Sequence, residues 1–431
     1  MNLGLGDWLI RADELEPPAD PLLVKSPEQL LDEHGRGPRA PPRGVEAEDV
    51  HAAARIQRTE QRSRPIGRVL TLHGQPQSRV RPTLGQPAKD LPPLFDEAHE
   101  PEHKLKARVA KVEKKGAVSE EILREFFREM LLIRRFEEKV EERFRAGELP
   151  GFLHVAIGQE ACAVGVCRAL DEGDVIASTH RAHGHTLAKG THPNEVMAEL
   201  YGKLEGCSHG YGGSMHLYDV ERGNLGANAV VGGGLPATVG AALSFKFRDE
   251  PRVAVAFFGD GATNIGTFHE SLNLAQLWQV PAVFVCENNR WAESTPASQQ
   301  LPIEDLTKRA AAFGMEAMRV DGQDVEEVYR AALAALDHAR EGRGPVFLLL
   351  ETYRLTGHYI GDPQVYRSKG EVEELRKTQD PITKLRERLK LSDEEFEEAD
   401  REAVELVEAS VEFAKNGTDP KPEDALKNLY A

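Results

Sequence analysis

Two stretches set the pattern of this chain: Val253-Ala-Val-Ala-Phe-Phe258 and Ala282-Val-Phe-Val-Cys286 are apolar at every position. A strand with one wet face alternates polar and apolar residues, so an unbroken apolar run reads as a strand covered on both faces. Residues 266–278 between them read as a helix, which makes the local unit strand–helix–strand with a right-handed crossover. A third run, Val346-Phe-Leu-Leu-Leu-Glu351, follows a helical pattern at about 324–340. This alternation predicts an α/β fold on a doubly wound parallel sheet. Upstream, Leu123, Phe126, Phe127 and Met130 mark one face of a helix. Ser119 is placed to cap it, Glu120 and Glu121 suit its positive end, and Gly147 and Pro150 stop it. After Asp380-Pro381 the chain reads as helical and charged, with a capping box from Ser392 to Glu395 opening a helix to about 415.

The first hundred residues carry no such pattern. They are rich in Pro, Arg and Gln, with Pro-Pro pairs beginning at positions 17, 41 and 92. That composition buries little, so residues 1–106 are expected to form a largely irregular extension. Residues 107–380 are then expected to make the α/β domain and 381–431 a helical C-terminal region. The whole is long enough for one large α/β domain with extensions, or for two domains.

Charge and cysteines narrow the function classes. A net charge of −17 argues against nucleic acid as a partner. The stretch from Arg36 to Arg81 is locally basic, with ten arginines against four acids, so the remainder is more acidic still. No run of eighteen apolar residues suggests a membrane span, and the acidic start resembles neither a secretory signal nor a transit peptide. Four cysteines without a CxxC pair fit a reducing compartment, so a cytoplasmic location is expected.

The chemistry collects where the two clear strands end. The first runs into Gly259-Asp260-Gly261-Ala262 and the second into Glu287-Asn288-Asn289. In open parallel sheets ligands bind outside the carboxyl ends of the strands. Glycines flanking Asp260 let backbone approach a ligand, and the amides of Gly261 and Ala262, just ahead of a helix, suit a phosphate. Asp260 and Asn289 offer a sparse oxygen set, the kind that holds Mg²⁺ jointly with a diphosphate.

The spacing also carries a resemblance. Gly259-Asp-Gly261, 26 residues, then Asn288-Asn289 matches the thiamine diphosphate motif. The stretch from Gly259 to Trp291 resembles the α subunits of pyruvate, branched-chain and acetoin dehydrogenases, and the resemblance runs from about Gly151 to Tyr366. It implies thiamine diphosphate and Mg²⁺ as cofactors. Asp260, Asn289 and the backbone carbonyl of Trp291 match the metal ligands. Gly259, Gly261 and Ala262 lie on the diphosphate loop, and Arg181 matches the arginine that binds the diphosphate. His154 and His358 match histidines that face the cofactor, with proton transfer or orientation as their roles. His180 stands where pyruvate enzymes usually carry tyrosine, and this wording is similar to the acetoin group. Ala229 and Val231 align with the segment whose backbone meets the aminopyrimidine ring. Gly206–His216 resembles a glycine-rich positioning loop, and Thr352–Pro363 an active-site loop in which Tyr359 replaces the regulatory serine of animal pyruvate enzymes.

The activity implied is that of an E1 component: oxidative decarboxylation of a 2-oxo acid, or cleavage of acetoin, with acyl transfer to a lipoyl group. The family's activating glutamate lies on a pyrimidine-binding domain, and no second domain of that kind is visible. A β subunit in an α₂β₂ assembly and a lipoylated acyltransferase core are therefore the expected partners. Pyruvate, acetoin and branched-chain 2-oxo acids remain open as substrates. An inactive scaffold of the same fold is the remote alternative, because fold does not fix function. A generic nucleotide-binding oxidoreductase would need a GxGxxG turn with an acid some twenty residues on, and the sequence has no such pairing.

Overall fold

The computed structural model describes residues 118–426. The chain opens with α1 (Glu120–Arg145) and α2 (Glu160–Cys167), followed by β1 (Val175–Thr179), α3 (His183–Ala188) and α4 (Pro193–Leu200). Next come β2 (Asn224–Asn228), α5 (Gly234–Arg248), β3 (Ala254–Gly259), α6 (Gly266–Trp278) and β4 (Ala282–Asn288). The last elements are β5 (Glu316–Asp321), α7 (Val325–Arg340), β6 (Val346–Glu351), α8 (Glu371–Thr378), α9 (Pro381–Leu389) and α10 (Asp393–Lys415). These six strands form one parallel sheet in the order β2-β1-β3-β4-β6-β5, and Trp291–Ala292 pairs antiparallel with Thr295–Pro296 apart from it.

The unbroken apolar runs are explained by what covers the sheet. Val255, Phe257, Val283, Val285, Leu348 and Leu350 turn to a core shared with α2 and α7. Their neighbours Ala256, Phe258, Ala282, Phe284, Phe347 and Leu349 turn to a core under α5 and α6. Each strand thus buries both faces, and a fully buried Phe or Leu contributes about 1.5–3 kcal/mol. The sheet is doubly wound, as the sequence implies. β3 ends one residue later than the apolar run suggests, and β4 runs on through Glu287 and Asn288 rather than stopping at Cys286. Pairing with β6 carries it on, because Glu287 and Asn288 stand opposite Leu350 and Glu351. The segment after β3 also differs from expectation. Asp260–Asn264 forms a 3₁₀ turn of its own, and α6 starts only at Gly266.

At the N-terminal end of the described chain, Ser119 caps α1 by accepting from Ile122 N at 3.3 Å, and Gly147 follows in the left-handed region at φ 78°. Arg134 on α1 joins buried carboxylates from two other elements. It donates to Glu160 at 2.6 Å and to Asp380 at 2.9 Å. Asp380 in turn caps α9 through Ile382 N at 2.9 Å. The Ser392–Glu395 capping box opens α10, whose Val407, Val411 and Ala414 enter a core with Phe136, Val140 and Met197. The C-terminal helices are thereby fastened to α1 and α4. Among the described residues, no helix is long and apolar enough to cross a membrane.

Candidate active site

Strand order decides where the cavity lies. β1 has β2 on one side and β3 on the other, so successive connections leave in opposite directions and a crevice opens at the carboxyl ends between them. A cavity of about 460 Å³ occupies this place. His154, His180, Arg181, Ala229, Val231, Gly259, Asp260, Gly261, Ala262, Asn289, Trp291 and His358 all line it. Segments more than two hundred residues apart therefore meet at one site.

At the β3 end, Asp260 is 1% exposed. Its Oδ2 accepts from Gln300 Nε2 at 2.9 Å, while Oδ1 is buried with no partner. Burial, foremost, raises its pKa from 3.8 to about 6. Asn289 is held from two sides: its Nδ2 donates to Gln159 Oε1 at 3.3 Å, and its Oδ1 accepts from Trp291 N at 3.2 Å. Arg290 between them sits at φ 66°, a left-handed conformation that non-glycine residues seldom adopt, and the chain turns sharply there. Gly261 is required by proximity, since a Cβ at this position would lie 2.8 Å from that of Ala292.

At the β1 end, Arg181 is 4% exposed. It donates to the carbonyl of Val155 at 2.6 Å, the carbonyl of His358 at 2.7 Å and His358 Nδ1 at 3.3 Å. Among the described residues it makes no salt bridge. Burial, and then the neighbouring Arg354, lower its pKa to about 9. A buried guanidinium without a carboxylate is costly unless an anion completes it.

Three imidazoles crowd beside it. The ring centroids of His154 and His180 are 4.7 Å apart, those of His154 and His358 4.9 Å, and those of His180 and His358 5.4 Å. Burial and then the charge of Arg181 lower their pKa values to about 3 for His154, about 2 for His180 and about 3 for His358. All three are neutral at pH 7. His154 Nδ1 and His180 Nε2 are buried without partners. Arg354 Nη1 contacts His358 Nδ1 at 3.2 Å, as does Arg181, so two guanidiniums favour the tautomer with its proton on Nε2.

The dehydrogenase E1 component family matches residues 128–423. The α subunit of acetoin:2,6-dichlorophenolindophenol oxidoreductase from Bacillus subtilis (strain 168) is 45% identical over 311 residues, covering 70% of this chain and 92% of that protein. The corresponding subunit from Cupriavidus necator is 43% identical over 317 residues, covering 73% of this chain and 95% of its own. The pyruvate dehydrogenase E1 component subunit alpha of Rhizobium meliloti is 42% identical over 308 residues, with coverages of 70% and 87%. The chain belongs to the dehydrogenase E1 component family. It is an E1 α subunit of the thiamine-diphosphate-dependent 2-oxo acid and acetoin dehydrogenases, an enzyme component whose family pairs it with a β subunit.

Several residues that shape this E1 α site carry no clear signal in the sequence. Gln159 and Gln300 orient the metal-competent side chains from 130 and 40 residues away. Arg354 is 1% exposed and holds His358 from behind. Glu199, also fully buried, accepts backbone N–H groups from Ser208, Gly210, Gly212 and Gly213 at 2.8–3.0 Å. The glycine-rich loop is wrapped around this one carboxylate. A Cβ at Gly206 would stand 2.3 Å from it, which accounts for part of the glycine run.

Proposed function

We propose that the cavity holds the diphosphate of thiamine diphosphate through Arg181 and a Mg²⁺ ion through Asp260, Asn289 and the carbonyl of Trp291. The observation that carries this is a complementary pair of unmet needs in one cavity: a buried guanidinium without a carboxylate and a buried carboxylate oxygen without a donor. An anion–cation pair of the diphosphate–Mg²⁺ type satisfies both. The oxygen and amide donor set suits a hard cation.

When bound, thiamine diphosphate supplies the nucleophilic carbon and electron sink of the reaction. The protein's part is to bind and orient. Arg181 would hold the anionic end, Asp260 and Asn289 would hold the metal, and the backbone at Ala229 and Val231 would meet the ring. His358 lines the cavity with its proton on Nε2, so it would serve there as a donor. His154 Nδ1 and His180 Nε2, both without partners, leave one ring nitrogen each open to a ligand. His154 is buried and His180 and His358 are half-buried, which limits water beside them.

Acetoin is the proposed substrate, with pyruvate-like 2-oxo acids as the second reading. His180 at the cavity wall and the acetoin names of two similar relatives favour it. The β subunit is proposed to complete an α₂β₂ assembly in the cytoplasm, with a lipoylated acyltransferase as acceptor. The test is calorimetric titration of the purified α–β assembly with thiamine diphosphate and Mg²⁺, followed by assays with acetoin, pyruvate and branched 2-oxo acids. Asp260→Ala is expected to remove Mg²⁺-dependent binding while the assembly still forms; unchanged affinity overturns the metal assignment. Acetoin is expected to turn over at least as well as pyruvate, and a strong preference for a 2-oxo acid refutes that choice.

A further inference from the structure

The short helix α3 follows directly on Arg181 and carries His183 and His185, neither of which lines the cavity. Each is instead held between a glutamate and a serine. His183 bonds Glu137 at 2.6 Å and Ser214 at 2.8 Å. His185 bonds Ser178 Oγ through Nδ1 at 2.8 Å and Glu287 Oε1 through Nε2 at 3.2 Å. The second set is placed where it bears on binding. Ser178 sits near the end of β1, three residues before Arg181, and Glu287 near the end of β4, two residues before Asn289. Both line the cavity.

β3 lies between these strands, so the chain of bonds has to cross it. His185 does so by stacking on Phe257 of β3, with ring centroids 3.9 Å apart and planes 21° from parallel. Ser178 and His185 are each 2% exposed and Glu287 is 4% exposed, so these bonds are shielded from bulk water. An ionised carboxylate only accepts. Nε2 of His185 therefore carries the proton given to Glu287, and Nδ1 accepts from the Ser178 hydroxyl. One direction of hydrogen bonding runs from β1 to β4 beneath the cavity.

We infer that Ser178, His185 and Glu287 form a positioning relay that fixes the distance between the diphosphate arm of the site at Arg181 and the metal arm at Asn289. Glu287 adds a second effect, since its negative charge helps keep the buried Arg181 ionised, as does that of Glu137. The relay makes anion and metal binding interdependent: loosening it lets either arm shift without the other. It rests on the cofactor reading of the cavity given above.

The test uses the α–β assembly with Ser178→Ala, Glu287→Gln and His185→Phe, the last keeping a ring against Phe257. Thiamine diphosphate affinity is measured calorimetrically at low and at saturating Mg²⁺, and the melting temperature of each cofactor-free assembly is recorded. Outer partners of metal-site ligands typically contribute about 10–100-fold in affinity. The variants are expected to bind roughly tenfold more weakly, with the enhancement of affinity by Mg²⁺ reduced, while Ser178→Ala and Glu287→Gln melt near wild type. His185→Gln, which keeps a donor toward Glu287, is expected to recover part of the loss. If His185→Phe fails to assemble, the other two variants decide. Wild-type affinity and Mg²⁺ enhancement in both would overturn the relay. So would losses that merely track the melting temperature with the enhancement intact. Failure of the wild-type assembly itself to bind thiamine diphosphate and Mg²⁺ would instead overturn the cofactor reading, and the relay with it.

Discussion

At the scale of single residues, the site is built from titratable groups whose pKa values burial has moved. His154, His180 and His358 resist protonation because burial and the charge of Arg181 oppose it. The consequence for stability has a definite sign. An unfolded chain takes up protons near pH 6.5, whereas the folded one refuses them until about pH 3. The unfolded state thus binds more protons across that window, and the stability these groups contribute is full above pH 6.5 and lost progressively as pH falls from there to about 3. Melting temperatures of the cofactor-free assembly should therefore drop more steeply from pH 7 to pH 5 than those of a His154→Asn, His180→Asn, His358→Asn variant. Parallel curves would show that the three imidazoles do not carry the effect.

Between residue and fold stand the loops that present these groups, and here one buried acid governs a whole segment. Glu199 on α4 accepts four backbone N–H groups of the glycine-rich loop, whose Met215 reaches the cavity. Hydrogen bonds to a charged group contribute about 1.5–3 kcal/mol each, so four of them on one side chain hold the loop strongly. Glu199→Gln puts an amide donor against N–H groups that need an acceptor. It is expected to destabilise by about 3 kcal/mol or more, to lower the melting temperature by several degrees and to expose residues 206–216 to protease. Unchanged proteolysis with unchanged melting would show the loop to be held by other means.

For the whole molecule, the family's pairing with a β subunit directs attention to the surface beside the cavity. Val230 is 70% exposed and Val231 52% exposed at the cavity lip, and Phe247 is 82% exposed on α5. Apolar side chains so placed suit coverage by a second subunit. The α chain purified alone is expected to show no measurable turnover, with activity appearing on addition of β; robust turnover from α alone contradicts the two-chain reading. The expected Pro- and Arg-rich extension, residues 1–106, lies outside the described residues. A chain beginning at Ala107 is expected to bind thiamine diphosphate and assemble with β as the full chain does. Loss of either property would make the extension an integral part of the structure. Any electrostatic docking by its arginines should weaken as salt rises, since exposed charges are screened over about 8 Å at physiological ionic strength.

The sequence by itself determined what depends on local pattern and on short spacing. Runs apolar at every position dictated strands buried on both faces, and Ser119, Gly147 and the Ser392–Glu395 box marked helix ends through hydrogen bonds made within one turn. Asp260 and Asn289 were legible because their strands are adjacent and both polar ends follow apolar runs directly. β1, β2 and β5 were not legible. Asn224-Leu-Gly-Ala-Asn228 has little strand propensity of its own and exists through pairing with β1. Glu199, Arg354, Gln300 and the two histidines of α3 escaped for a related reason. A buried charge or a histidine with both nitrogens bonded is defined by its partners, and those partners come from distant segments. Glu287 bonds a histidine 102 residues away, and Arg134 a carboxylate 246 residues away. Tertiary structure alone brings them together, because their stability comes from sharing a site from which water is excluded, and no local pattern records that exclusion.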